Sequence, residues 1–183
     1  ENAWLSTVSG LFVANKLTGD LTSVSEFTDK ISDQTVVTWI SQSKRGGYWI
    51  GTQAAGLFFM SKEGSDLSTI KVTQIKPESR LSNVSIGAIV EDDEYGLWIS
   101  TIKGIAYLAP DLSTLSYFGA ENGALSSGYY IGSVTVTENN TIMFGGAEGV
   151  TQFTPSQVAN VKWSPGVHLT NVETVSRNEQ NGT

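Results

Sequence analysis

Few residues of this 183-residue chain have the means to do chemistry, and they are scattered. The densest carboxylate group is Asp92-Asp93-Glu94, with Glu91 just before it. Calcium takes such oxygens, but the EF-hand alternation of ligands closing on a Glu is absent. Turns favour Asp on their own account, so the group reads as a solvated hairpin turn with Glu91 at a strand end. His168 is the single histidine. Imidazole catalysis needs a nucleophile or carboxylate beside it, and the sequence offers none. One histidine cannot make a histidine-based metal site, so His168 reads as a packing or surface residue of an alternating strand. Gly145-Gly146-Ala147-Glu148-Gly149 resembles a phosphate loop but lacks the Gly-Lys-Ser/Thr ending and the helix that follows it, which leaves a hairpin turn. Asn83-Val84-Ser85 and Asn139-Asn140-Thr141 match glycosylation triplets that also arise by chance. Catalytic residues, metal ligands and cofactors are therefore all expected to be none, and the ligand-binding residues are unknown.

Composition narrows the class further. With 39% hydrophobic and 16% charged residues the chain is globular. Eleven Lys and Arg against 18 Asp and Glu leave a net charge of -7, with no basic run longer than Lys44-Arg45, so no nucleic-acid partner is expected. The lack of cysteine excludes disulfides and thiolate sites. No apolar stretch approaches the roughly 18 residues of a membrane span. The chain starts at Glu1 almost inside a strand pattern, which reads as a piece of a longer protein.

The elements that must position these residues come from a repeat. Trp4-Leu5-Ser6-Thr7 followed by Gly10-Leu11-Phe12 returns as Trp49-Ile50-Gly51-Thr52 followed by Gly56-Leu57-Phe58. It returns again as Trp98-Ile99-Ser100-Thr101 with Gly104-Ile105-Ala106, and more weakly as Met143-Phe144-Gly145-Gly146 with Gly149-Val150-Thr151. The anchors Trp4, Trp49, Trp98 and Met143 lie 45, 49 and 45 residues apart. Apolar strands precede three anchors, at Val36 to Ile40, Ile86 to Val90 and Val134 to Val136, each followed by a polar turn. A more polar fourth strand is expected at Leu21 to Phe27, Ile70 to Ile75 and Leu115 to Phe118. No twelve-residue segment has the 3.6-residue apolar period of a helix, although Gln157 to Val161 suits a single turn.

A four-stranded twisted sheet of this size cannot bury both faces alone, whereas sheets stacked radially around an axis can. A period near 45 residues is that of a propeller blade and too long for a β-solenoid. The fold is thus expected to be all-β: a partial β-propeller of about three and a half to four blades in an open arc, with a closed four-bladed ring as the alternative. Residues 1–162 would hold the blades, the first lacking a strand. Recurrence at one position in every blade makes the Trp anchors packing residues before sugar platforms. Small residues at Ser6, Gly51, Ser100 and Gly145 suit close backbone approach, and Gly10, Gly56, Gly104 and Gly149 suit a turn. Trp39 belongs to an inner strand, and Trp163 is placed to cover the seam with whatever follows.

These residues resemble the two-component regulator propeller repeat, in which an apolar strand, an acidic turn with Gly, a Trp-Ile-Gly-Thr-like strand and Gly-Leu follow one another. The segment from Val84 to Tyr107 matches best, then Gly46 to Met60. Lys44-Arg45 departs from the acidic turn, at a position expected to be exposed and tolerant. The last repeat, from Asn122-Gly123-Ala124-Leu125 to Phe153-Thr154-Pro155, resembles a closing blade. Residues 163–183, with Pro165-Gly166-Val167-His168-Leu169-Thr170-Asn171-Val172, resemble a linker and the first strand of the immunoglobulin-like module that follows such propellers.

The resemblance implies a non-catalytic, periplasmic sensor region of an inner-membrane receptor whose cytoplasmic output is a histidine kinase or a diguanylate cyclase (GGDEF) outside this chain. It implies an unknown small molecule or oligosaccharide as ligand of the full receptor, with 61–68, 77–83 and 120–130 as candidate loops. An interaction scaffold with no small ligand is the alternative, and a propeller lyase or hydrolase a more distant one. The bare edges and faces of an open arc imply self-association.

Overall fold

The computed structural model describes residues 2–7, 10–30, 35–62, 69–76 and 81–159. They form four antiparallel sheets, one per repeat. The first holds β1 (Asn2–Thr7), β2 (Gly10–Asn15) and β3 (Leu21–Ser23). The second holds β4 (Val37–Gln42), β5 (Tyr48–Thr52), β6 (Leu57–Lys62) and β7 (Ile70–Ile75) in that order. The third holds β8 (Ile86–Glu91), β9 (Leu97–Thr101), β10 (Gly104–Leu108) and β11 (Leu115–Phe118). The fourth holds β12 (Val134–Val136), β13 (Ile142–Gly146) and β14 (Gly149–Phe153). Trp4, Trp49, Trp98 and Met143 sit on β1, β5, β9 and β13, one per sheet.

Strands form because each sheet buries one set of alternating side chains against the next sheet. Trp4, Leu11 and Val13 pack onto Ile50, Phe58 and Met60. Trp49, Leu57 and Phe59 pack onto Ile99, Ala106 and Leu108. Trp98, Ile105 and Tyr107 pack onto Ile142, Phe144 and Phe153. The rule is the same at every seam: the anchor face of one sheet meets the opposite face of the next. No buried cluster joins the fourth sheet to the first among the described residues, so the blades make an open arc, not a closed ring.

Two local features explain the motif. Thr7, Thr52 and Thr101, each three residues after the anchor, donate their hydroxyls to the carbonyls of Gly10, Gly56 and Gly104 across the turn, at 3.1, 2.8 and 2.9 Å. Gly56 has φ +76° and lies so close to the Leu81 carbonyl that a side chain has no room. Gly51 admits the neighbouring blade: an added Cβ would come within 2.6 Å of Ile86 Cγ2.

Two expectations need correction. The last strand of the first sheet, β3, ends at Ser23, and Ser25–Lys30 forms a short helix, α1, in place of a strand to Phe27. Val24 and Phe27 are both buried while Leu21 is exposed, so the apolar side chains follow a helical spacing of three, not an alternation. The second helix, α2, runs Pro155–Ala159, two residues earlier than expected, because Pro suits a first helical turn and Thr154 accepts from Gln157 N–H at 3.0 Å. Trp163, His168 and the proposed boundary at residue 163 lie outside the described residues.

Candidate functional site

The turns that follow the inner strands β4, β8 and β12 gather at one end of the arc, and three residues recur in their construction. Ser43, Asp92 and Thr137, each six before its anchor, accept backbone N–H groups of their own turn: Arg45 at 3.1 Å, Glu94 at 3.0 Å and Gly96 at 2.8 Å, and Thr141 at 3.2 Å. Gly46, Tyr95 and Asn140, each three before the anchor, take positive φ angles of 82°, 66° and 57°. The turns thus share one geometry although their sequences do not.

Built this way, the turns reach one another. Lys44 Nζ meets Asp93 Oδ1 at 2.5 Å, and Asn140 Nδ2 donates to Asp93 Oδ2 at 2.6 Å, so one carboxylate links three blades. Lys44 lowers the pKa of Asp93, by its hydrogen bond and then by its charge, as Asn140 does more weakly. Below this strand of polar contacts, Glu91 reaches back to the preceding blade. Its side chain is 4% exposed; Oε2 accepts the Trp49 indole N–H at 3.0 Å and the Lys44 backbone N–H at 2.9 Å, and Arg45 Nε lies 3.6 Å from Oε1. The Arg45 guanidinium also donates to the carbonyls of Tyr95 and Pro110, at 3.0 and 2.8 Å.

Two readings change accordingly. Lys44-Arg45 is exposed, as expected, but it is not without partners: it ties the second blade to the third. Asp92 is not a merely solvated turn residue, since its Oδ2 accepts the Trp98 indole N–H at 2.9 Å. The tie between blades was not visible locally, because the partners of Glu91 and Asp93 lie 42 to 49 residues away in the chain. The signal available was the repeat period, which puts Lys44 and Asp93 at the same place in consecutive blades.

Between the third and fourth sheets at this end lies a cleft of about 340 Å³. Its floor is Val90, Val136, Ile142 and Pro155, and the phenol of Tyr107 stands at its wall. Burial raises the Tyr107 pKa, and the charges of Asp92, Glu94 and Asp111 raise it further. A second groove of about 300 Å³ runs over the inner strands toward Trp39 and shares Lys44, Val90, Glu91 and Val136 with the cleft. The Trp39 indole N–H is buried there without a hydrogen-bond partner.

Of the expected loops, 120–130 is described throughout. Residues 63–68 and 77–80 are outside the described set. The described loop 120–130 is at the opposite end of the blades, where Glu148 holds it through Ser126 Oγ at 2.8 Å and the Ser126 N–H at 3.0 Å. Three anchors pack between blades, Trp49 and Trp98 buried and Trp4 half-buried, whereas Met143 is half-buried on the uncovered face of the fourth sheet. No group of three or more His, Cys, Asp or Glu is arranged to hold a metal among the described residues.

No known family's model matches the chain. Over 175 residues it is 26% identical to Histidine kinase P4 of Formosa agariphila, covering 93% of this chain and 12% of that protein. Among solved structures, the extracellular domain of BT3049 from B. thetaiotaomicron, described as a hybrid two-component system, matches with a TM-score of 0.69 and 24% identity, over 100% of this chain and 24% of that one. The extracellular domain of BT4673 from the same organism matches with a TM-score of 0.63 and 19% identity, over 85% of this chain and 20% of that one. PorZ of Porphyromonas gingivalis, a surface component of the type-IX secretion system, matches at 0.67 and 20%, over 87% and 26%. The chain therefore spans about a quarter or less of the proteins it matches. Its four sheets are a partial β-propeller, in the fold shared with the extracellular domains of BT3049 and BT4673.

Proposed function

We propose that these blades belong to the extracytoplasmic sensing region of a bacterial signalling receptor, on the periplasmic side of an inner membrane, and that they bind or relay a signal without catalysing a reaction. The observation that carries this reading is the fold likeness to an extracellular sensor-system domain along the whole chain. The cleft between the third and fourth blades is the ligand site. It combines an apolar floor with a polar rim on rigid strands, the usual make-up of a small-molecule site. A ligand there touches two blades at once, so it favours one arrangement of them over another, which is what a sensor needs. The output, a histidine kinase or a diguanylate cyclase, lies in another part of the receptor.

The test is to screen metabolites and oligosaccharides for a shift in the unfolding temperature of the chain, with Val136→Trp as the blocked control. Val136 is exposed and lines both cavities, so the larger ring fills the cleft without entering a core. Stabilisation lost in Val136→Trp supports the reading. Turnover of a substrate by the chain, or stabilisation that survives Val136→Trp unchanged, overturns it.

A further inference from the structure

We propose that the cleft takes a small organic cation, an alkyl- or arylammonium whose charged end sits at Glu94 and Asp93 and whose apolar body lies on Val136, Ile142 and Pro155. This rests on the cleft being the ligand site and adds the class of ligand.

The charge of the lining is one-sided: four carboxylates, Glu91, Asp92, Asp93 and Glu94, face one ammonium, Lys44. They differ in what they have left to offer. Asp92 is committed to two turn N–H groups and the Trp98 indole. Glu91 gives Oε2 to Trp49 and the Lys44 N–H, and its Oε1, buried and without a hydrogen bond, has Arg45 Nε 3.6 Å away as counter-charge. Asp93 is shared between Lys44 and Asn140, so an ammonium already rests at the mouth of the cleft, on the carboxylate that links the three turns. Glu94 is exposed, and its carboxylate has no hydrogen-bond partner among the described residues. A second cation therefore finds a free carboxylate beside an occupied one.

The negative potential extends into the cleft as well as over its rim. The phenol of Tyr107 resists ionisation partly because Asp92, Glu94 and Asp111 are near, and the same field favours a cation at its ring. The ring is held in place by Trp98, 4.5 Å away between centroids. The floor is aliphatic, so a bare metal ion or a strongly hydrated polyol leaves it unused, whereas an ammonium on a hydrocarbon body covers both parts. A cavity of about 340 Å³ accommodates one such molecule of roughly ten heavy atoms, at the lower end of the size of small-ligand sites.

The experiment titrates the whole chain with phenethylammonium, and separately with 2-phenylethanol and phenylacetate as neutral and anionic counterparts of the same shape. Amide NMR shifts of Glu94, Gly96 and Asn140 and the fluorescence of Trp98 are followed. The expected result is saturable binding of phenethylammonium at least about tenfold tighter than of the alcohol, weakened by salt, and no binding of phenylacetate. Glu94→Gln, a surface change, brings ammonium and alcohol to within about threefold of each other, while Glu121→Gln, a carboxylate outside the cleft, leaves their ratio unchanged. If the alcohol or phenylacetate binds at the cleft as well as the ammonium does, the ligand class is wrong and the site stands. If none of the three perturbs these residues at millimolar concentration, the site falls and the inference with it.

Discussion

Single residues hold the blades in register here. Glu91 is the clearest: a buried carboxylate that serves the preceding blade and not its own. Replacing it by Ala strands an indole N–H and a backbone N–H and removes the counter-charge near Arg45, so Glu91→Ala should cost about 3 kcal/mol in urea unfolding. Glu91→Gln keeps one acceptor oxygen and should cost about half of that. An unchanged midpoint in the Ala variant would show that the reach between blades is incidental. Asp111 does a similar job within one turn. Its carboxylate accepts the Ser113 and Thr114 N–H groups at 2.8 and 2.9 Å and the Thr114 hydroxyl at 2.8 Å, and these bonds push its pKa far below the carboxylate range. A depressed folded-state pKa means a contribution that is present above the ordinary carboxylate pKa and is lost as pH falls through the folded value. Asp93 and Glu148 shift the same way, so stability should fall continuously below about pH 4, and Asp111→Asn should flatten that fall in denaturation midpoints measured from pH 7 to 2.

At the level of elements, the strand plan was legible because both faces of the inner strands had to be apolar and the period fixed their spacing. Residues 70–75, 115–118 and 134–136 form strands with the limits read from the sequence. What was not legible had nonlocal causes. Phe27 enters the first seam from α1 and Val24 from the residue just before it, because the space beside β2 is filled from this corner and not from a longer β3. The site escaped notice because its residues come from three blades, and only contacts between blades give Glu91 and Asp93 their roles. The repeated Thr supplies a test with its own control. Thr52 and Thr101 are buried and donate across their turns, while Thr7 makes the same bond in an exposed position. Thr→Val should therefore cost about 1–2 kcal/mol at Thr52 and Thr101 and only a few tenths at Thr7. Equal costs at all three would mean that burial does not govern the bond.

The whole molecule is a one-dimensional stack, in which each blade is stabilised by its neighbours. Among the described residues, the second and third sheets are covered on both sides, the first and fourth on one. Amide exchange should accordingly be slowest in β5, β6, β9 and β10 and fastest in β1 and β14; uniform protection would contradict a nearest-neighbour stack. The two uncovered faces are not equivalent. On the first sheet Leu5 pairs with Phe12, Ala3 pairs with Ala14, and Ala14 pairs with Leu21, so the face turned away from the second sheet is apolar, with Leu5 40% and Leu21 63% exposed. On the fourth sheet the outward row pairs Met143 with Thr135 and Gln152, leaving Val150, at 61%, as its main exposed aliphatic residue. The interior seams all bury apolar side chains from both partners, so the first sheet keeps the chemistry of an interior face and the fourth does not. Association of the isolated chain should therefore run through the first sheet. A three-stranded face six residues long offers only roughly 300 Å² per partner, from strand spacings of ~4.8 Å and rises of ~3.3 Å per residue. That is well below the roughly 800 Å² per partner of a stable complex, so the association should be weak. Sedimentation at rising concentration should show reversible dimers only near the millimolar range. Leu5→Glu together with Leu21→Lys should abolish them, while Val150→Glu should leave them in place. A monomer at every concentration, or a dimer broken only by Val150→Glu, would put the interior-like face at the wrong end of the arc.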